Sequence, residues 1–306
     1  MRLATSVGVI ATAVLFATVP AAFAQSAPPV YATPQDALEA LMAAMATGDV
    51  DATLAAMDPE AGDLVHAADP ERVSEAIAQF LELYEDGFRF VPGEGGTVII
   101  DLGRDDWPFP VPLVRAANGW SFDTDAGREE VIDREIGRNE LDVIDAMHGY
   151  VDIQAHYRAL DPDGDGVPAF AARIISSVGS HDGLYWSDRE DSLIGDMAAK
   201  ASLDGYSQDG ETQEAEPFHG YYFRILTSQG PSAPGGEMNY VINGHMVAGH
   251  ALLAVPAEYG VSGIHSFIVS EAGVVQEADL GEDTLDIAYG ITSYEPDDRW
   301  SPVEED

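Results

Sequence analysis

The chain has 306 residues, 54 of them acidic against 14 basic, and a formal net charge of −40 at pH 7. Such a charge repels phosphate backbones and anionic lipid surfaces, which argues against nucleic acid as a partner. There is no cysteine, so disulfides and thiol catalysis are excluded and stability must come from packing or from a metal.

Residues 1–24 read as a secretory signal. Arg2 supplies the charged start, Val7–Val19 the apolar run, and Ala22-Phe23-Ala24 an A-x-A cleavage site. The expectation is a mature chain beginning at Gln25, periplasmic or secreted, with no membrane span after cleavage. A short Ala/Pro-rich leader covers 25–33.

Thr33-Pro34-Gln35-Asp36 reads as a helix start: Thr33 caps, Pro34 suits the first helical position and Asp36 favours the dipole. Ala37, Leu38, Leu41, Met42 and Met45 form the apolar stripe, and Gly48 stops it. A second helix is predicted over Val50–Met57 and a third from Pro70 through Val73, Ile77, Phe80, Leu81 and Tyr84. Strands are predicted at Phe88–Val91, Thr97–Leu102, Val111–Ala116 and Trp120–Phe122, with Asn118-Gly119 as a hairpin turn.

Pro108, Pro110 and Pro112 alternate with Phe109, Val111 and Leu113. In a strand this spacing removes the donors from one edge and turns the apolar residues to the core, which predicts an edge strand protected against pairing. From Asp125 a helical pattern runs to about Leu160, with a break expected near Gly137; Val143, Met147, Tyr150, Val151, Gln154 and Tyr157 share one face. Ser202–Glu216 and Ser228–Glu237 read as surface loops. Gly220–Leu226, Ala254–Gly263 and His265–Val275 read as antiparallel strands joined by Gly-rich turns. Residues 301–306 form an acidic tail.

These elements carry three resemblances. Helices followed by a meander ending in G-W-S-F-D resemble the small α+β cone of the NTF2-like group. Asn139–Gly281 resembles the helix and sheet of the globular head of type IV pilins and type II pseudopilins, although the leader and the amphipathic helix depart from the pilin assembly segment. The wordings D-D-W-P-F-P-V-P-L-V-R, G-W-S-F-D-T-D-A-G-R-E-E, R-N-E-L, H-G-Y-Y-F-R-I-L-T-S-Q-G and Y-V-I-N-G-H-M are similar to the exported bacterial family catalogued as domain of unknown function 2950. That family implies no activity.

The best local motif for chemistry is Asp161-Pro162-Asp163-Gly164-Asp165-Gly166. Acids at positions 1, 3 and 5 with Gly at 6 match the first half of an EF-hand loop, so Asp161, Asp163, Asp165 and the Val167 carbonyl are candidate calcium ligands. Position 12 is Ala172, so Asp182, Asp188, Glu190 or Asp191 would have to complete the site; the other reading is an acidic Asp-Gly turn without metal. Pseudopilin heads can carry a calcium loop, an implication of that resemblance only. Asp145, His148, Asp152 and His156 share a helix face, which a solvated polar surface explains as well as a metal site.

His219, Asn243, His245, His250 and His265 lie on or beside the C-terminal strands. No nucleophile elbow, H-E-x-x-H or Walker loop accompanies them. The fold expected is α+β in two domains, 34–124 as a helical cone with a small antiparallel sheet and 125–300 as a long helix packed on an antiparallel sheet. The function expected is an exported, non-catalytic structural or interaction protein of the cell envelope, calcium-stabilised, with an envelope protein or small ligand as partner and a monomer or small oligomer as its state. The alternative is a periplasmic hydrolase or small-ligand binder using His219, Asn243 and His245 at the domain junction.

Overall fold

The computed structural model describes residues 27–62, 70–162, 164–208 and 211–304. The expected signal segment and Asp163 lie outside the described residues. Two compact units divide the chain, Met1–Thr124 and Asp125–Asp306. Both mix helices with antiparallel sheet, an α+β fold.

In the first unit α1 (Pro34–Met45) begins with a reciprocal cap. The Asp36 N–H donates to Thr33 Oγ1 at 3.1 Å and the Thr33 N–H donates to Asp36 Oδ2 at 3.0 Å, satisfying two of the donors that a helix start leaves open. The predicted stripe of Ala37, Leu38, Leu41, Met42 and Met45 is buried. Helices α2 (Val50–Met57) and α3 (Pro70–Asp86) follow, then β1 (Phe88–Pro92), β2 (Val98–Leu102), β3 (Trp107–Pro108), β4 (Leu113–Ala116) and β5 (Gly119–Phe122). The sheet order is β1-β2-β4-β5, with β3 also paired to β2.

The expectation of one proline-blocked edge strand holds only for Pro108, which ends the two-residue β3, a strand paired with β2 alone; Pro110 and Pro112 lie outside any strand. β4 lies between β2 and β5, and Pro110 and Pro112 mark the bend between β3 and β4. The apolar half of the reading holds: Phe109, Val111 and Leu113 are buried, and the Phe80 ring packs edge-on against Phe109 with centroids 4.9 Å apart. The terminal strands are β1 and β5, and at β5 Tyr31 and Trp120 exchange N–H···O bonds of 2.7 Å in both directions. The hairpin turn is Ala117-Asn118, and Gly119 pairs with Ala116. Glycine is needed there because a Cβ would collide with the Tyr31 carbonyl oxygen.

In the second unit α4 (Thr124–Leu160) runs unbroken through Gly137. Of the predicted face, Val143, Met147, Tyr150, Gln154 and Tyr157 are buried and Val151 is half-buried. After α5 (Asp196–Lys200) and the hairpin β6 (Tyr206–Gln208)–β7 (Glu211–Gln213) come β8 (Tyr221–Leu226), β9 (Ser228–Gln229), β10 (Met238–Asn239), β11 (Val241–Ile242), β12 (His245–Met246), β13 (Ala251–Pro256), β14 (His265–Ser270), β15 (Gln276–Asp279), α6 (Thr284–Gly290) and β16 (Ser301–Pro302). The main sheet has the order β16-β15-β14-β13-β8, antiparallel throughout. β13 is buried along all six residues, as a strand covered on both faces requires. Ser301 and Pro302, expected in the tail, pair with Glu277 and Gln276 instead. No helix among the described residues is long and apolar enough to cross a membrane.

Candidate functional site

Three polar clusters of the second unit contain the residues proposed from sequence. The first is the acidic turn after α4. Asp161 has φ +49°, a left-handed conformation that aspartate tolerates. Its Oδ2 accepts from the Gly166 N–H at 3.1 Å, and Asp165 Oδ1 accepts from the Val167 N–H at 2.7 Å. Gly164 and Gly166, at φ +69° and +80°, give the turn its curvature. Asp161 Oδ1 is buried and has no hydrogen-bond partner. Asp165 Oδ2 lies 3.1 Å from His245 Nδ1.

Of the acids considered for the last position of a calcium loop, three are engaged elsewhere. Asp182 accepts from the Ser177 N–H at 2.7 Å and from Ser177 Oγ at 2.9 Å. Asp188 lies 3.2 Å from His181 Nε2, and Asp191 accepts from Arg189. Burial pushes the Asp182 carboxyl up, but the Ser177 bonds, the Arg173 charge and the Ser180 contact outweigh it and hold the group below the usual carboxylate range. Among the described residues no three of His, Asp and Glu converge on a point suited to a metal. The face of Asp145, His148, Asp152 and His156 is no exception.

The second cluster is built on the amino-terminal half of α4. Glu140 Oε1 accepts from the backbone N–H groups of Ile264 and His265 at 2.8 and 2.9 Å, and Oε2 lies 3.2 Å from His265 Nδ1. Asn139 donates to the Ser262 carbonyl at 3.0 Å. Asp142 Oδ2 lies 2.9 Å from His219 Nδ1. The Tyr221 hydroxyl donates to the His265 carbonyl at 2.9 Å, and burial with the adjacent Glu140 charge pushes its ionisation far above the usual tyrosine range. Adjacent residues of one helix thus grip the turn from Ser262 to His265 by its backbone.

The third cluster surrounds His250, which is 1% exposed. The Tyr150 hydroxyl donates to the Ala251 carbonyl at 3.1 Å. Gln154 Nε2 donates to the Tyr150 oxygen at 3.0 Å and to the Ala171 carbonyl at 2.9 Å, while its Oε1 accepts from the Ala171 N–H at 2.9 Å.

His219, Asn243 and His245 do not form one site. Asn243 and His245 share the β11–β12 hairpin, whose turn residues Asn243 and Gly244 have φ +54° and +91°. His219 is tied to Asp142 and His245 to Asp165. Between those two attachments lie Asp142–Leu160 of α4, roughly 27 Å of helix at 1.5 Å per residue. A cavity of about 180 Å³ beside Trp300 is lined by Ile268, Ile291, Thr292, Glu295 and Arg299, and by none of the residues proposed from sequence.

Sequence reasoning missed the role of Glu140 and the pairing of Asp142 with His219. The only signal was the wording R-N-E-L, because the partners lie 124 and 125 residues away in the case of Glu140.

A family model described as protein of unknown function (DUF2950) matches residues 29–303. No curated protein and no solved structure matches the chain.

Proposed function

The chain belongs to the DUF2950 family, and we propose that it is an exported, non-catalytic structural or interaction protein of the cell envelope whose Asp161–Gly166 turn takes calcium. The observation that carries this reading is the use made of the polar side chains on α4. Asn139, Glu140 and Asp142 join the helix to the turns around the sheet through backbone groups and histidine rings. Side chains engaged in this way brace a scaffold. The alternative of a hydrolase or ligand site needs His219 and His245 in one place, and the length of α4 keeps their carboxylate partners apart.

Calcium is supported by the donor set. Asp161 presents a buried carboxylate oxygen that no protein donor meets, and hard oxygen ligands suit this ion. Asp161, Asp163, Asp165 and the Val167 carbonyl would hold it, and the ion would supply positive charge to a turn of concentrated negative charge. The NTF2-like and pilin-head resemblances belong to this proposal and rest on the order of elements alone. Export rests on the leader sequence and fits a chain without cysteine.

The test is expression of the full chain in a bacterium with fractionation and intact-mass measurement. The reading expects a periplasmic or secreted species beginning at Gln25. A cytoplasmic species that keeps residues 1–24 overturns it.

A further inference from the structure

His250 sits at a junction of three elements. It precedes β13, its ring lies edge-on to Tyr150 of α4 at 5.2 Å and to Phe170 at 4.6 Å, and its Nδ1 is buried without a hydrogen-bond partner. Phe170 belongs to a strap that is held on both sides. The Phe170 N–H donates to the Met246 carbonyl at 2.7 Å. Ala171 exchanges two bonds of 2.9 Å with Gln154 of α4. Tyr150 then links α4 to β13 through the Ala251 carbonyl.

The charges facing this ring do not favour an imidazolium. From α4 come Tyr150, whose own ionisation burial holds far above the usual range, and Arg158, whose guanidinium lies 4.8 Å from the Phe170 centroid. From the strand side, Glu271 reaches His250 through its backbone N–H to the His250 carbonyl. Among the described residues no carboxylate stands within ion-pairing distance of the ring. The other histidines near strands, His219, His245 and His265, each have one.

We propose that His250 is an acid-sensitive latch: a proton on its imidazole releases the strap around Phe170 and Ala171 from α4 and β13 and opens this face of the core. The geometry supplies the reason. A proton added to the ring makes a charge between two aromatic rings, with Nδ1 buried and no counter-ion in reach, so the open form is favoured. Burial pushes the imidazole down to about 4. The folded form therefore takes up its proton below the ordinary histidine value. The latch is closed at pH 7 and loses strength as pH falls from about 6.5 through about 4, because the open form binds the proton first.

The test is hydrogen exchange of the peptide covering 168–172 at pH 7 and pH 4.5, corrected for intrinsic rates, in the full-length mature protein. The expected result is a loss of protection on the order of thirty- to a hundredfold in the wild type. His250→Gln and His250→Phe should lose far less. Equal losses in wild type and variants, or unchanged protection in the wild type at pH 4.5, overturn the proposal. If neither variant folds, histidine NMR of the wild type decides. His250 titrating at an ordinary value, with the 169–172 amides unmoved, overturns the latch; a depressed value with those amides moving in step supports it.

Discussion

Glu140 holds His265 by two atoms at once, accepting its backbone N–H at 2.9 Å through one carboxylate oxygen and meeting its ring Nδ1 at 3.2 Å through the other. The first oxygen also takes the Ile264 N–H at 2.8 Å. One helical carboxylate therefore satisfies two consecutive amides at the entry to β14 and orients the ring that follows. These donors lie where the chain turns into a central region of the sheet, so the bond fixes where the strand begins. Asn139 secures the same turn one residue earlier along the helix.

Glu140→Gln should destabilise the protein by about 2 kcal/mol, the magnitude of a hydrogen bond to a charged group. Glutamine keeps one acceptor for the amides but presents an N–H₂ group to the ring. Denaturant unfolding of the wild type and variant measures this. An unchanged midpoint would show that the clamp contributes nothing beyond position.

Arg224 gives a second case of bracing. Its Nη1 donates to the carbonyls of Ala288, Tyr289 and Ile291 at 3.0, 3.5 and 3.3 Å, at the end of α6, while Nε donates to Asp204 at 2.7 Å. Helix carbonyls at that end have no intrahelical donors, and a cation there also suits the dipole. Arg224→Lys keeps the charge and loses the fork, so it should cost about 1–2 kcal/mol. Exchange of the 286–291 amides should rise in the same variant. Retained protection there would mean that α6 is held by packing alone.

Calcium should raise the melting temperature of the mature protein with concentration, because a ligand bound only to the folded state stabilises it by mass action. Magnesium at equal concentration controls for screening of a chain with net charge −40. Asp161→Asn and Asp163→Ala should each remove the excess effect of calcium. Equal stabilisation by the two ions, or a full calcium response in both variants, would leave the turn as a turn.

Filament growth is not expected at low or high salt. Of the prolines at 108, 110 and 112 only Pro108 lies in a strand, the two-residue β3, and the other two lie in the bend before β4. Other devices protect the edges. Tyr31 covers β5. The edge of β8 is bonded to Ala201 and Leu203 through Phe223, and the opposite edge ends in the two-residue β16 with Pro302. Short, covered or proline-bearing edges give a second chain few donors to pair with. Light scattering over time at both salt concentrations checks this, and growth of fibres in either would defeat it.

Elements whose signals are local can be read along the chain. Thr33 and Asp36 lie three residues apart and cap α1 as read. The face from Val143 to Tyr157 follows from helical period alone, and it is buried as read. The α+β class and the family wording were legible for the same reason: both lie along the chain. The other features depend on which distant segments meet. Whether Leu113 sits in an edge or an inner strand depends on which strands its neighbours choose, and burial of Phe109 and Val111 on the same face is satisfied either way. Glu140 and His265 are 125 residues apart, and their contact exists only once the sheet register places the start of β14 beside α4. His250 differs from His265 in nothing that composition reveals. The His265 ring meets a carboxylate and the His250 ring packs against Tyr150 and Phe170, so the fold, and not the residue type, sets the partners of each.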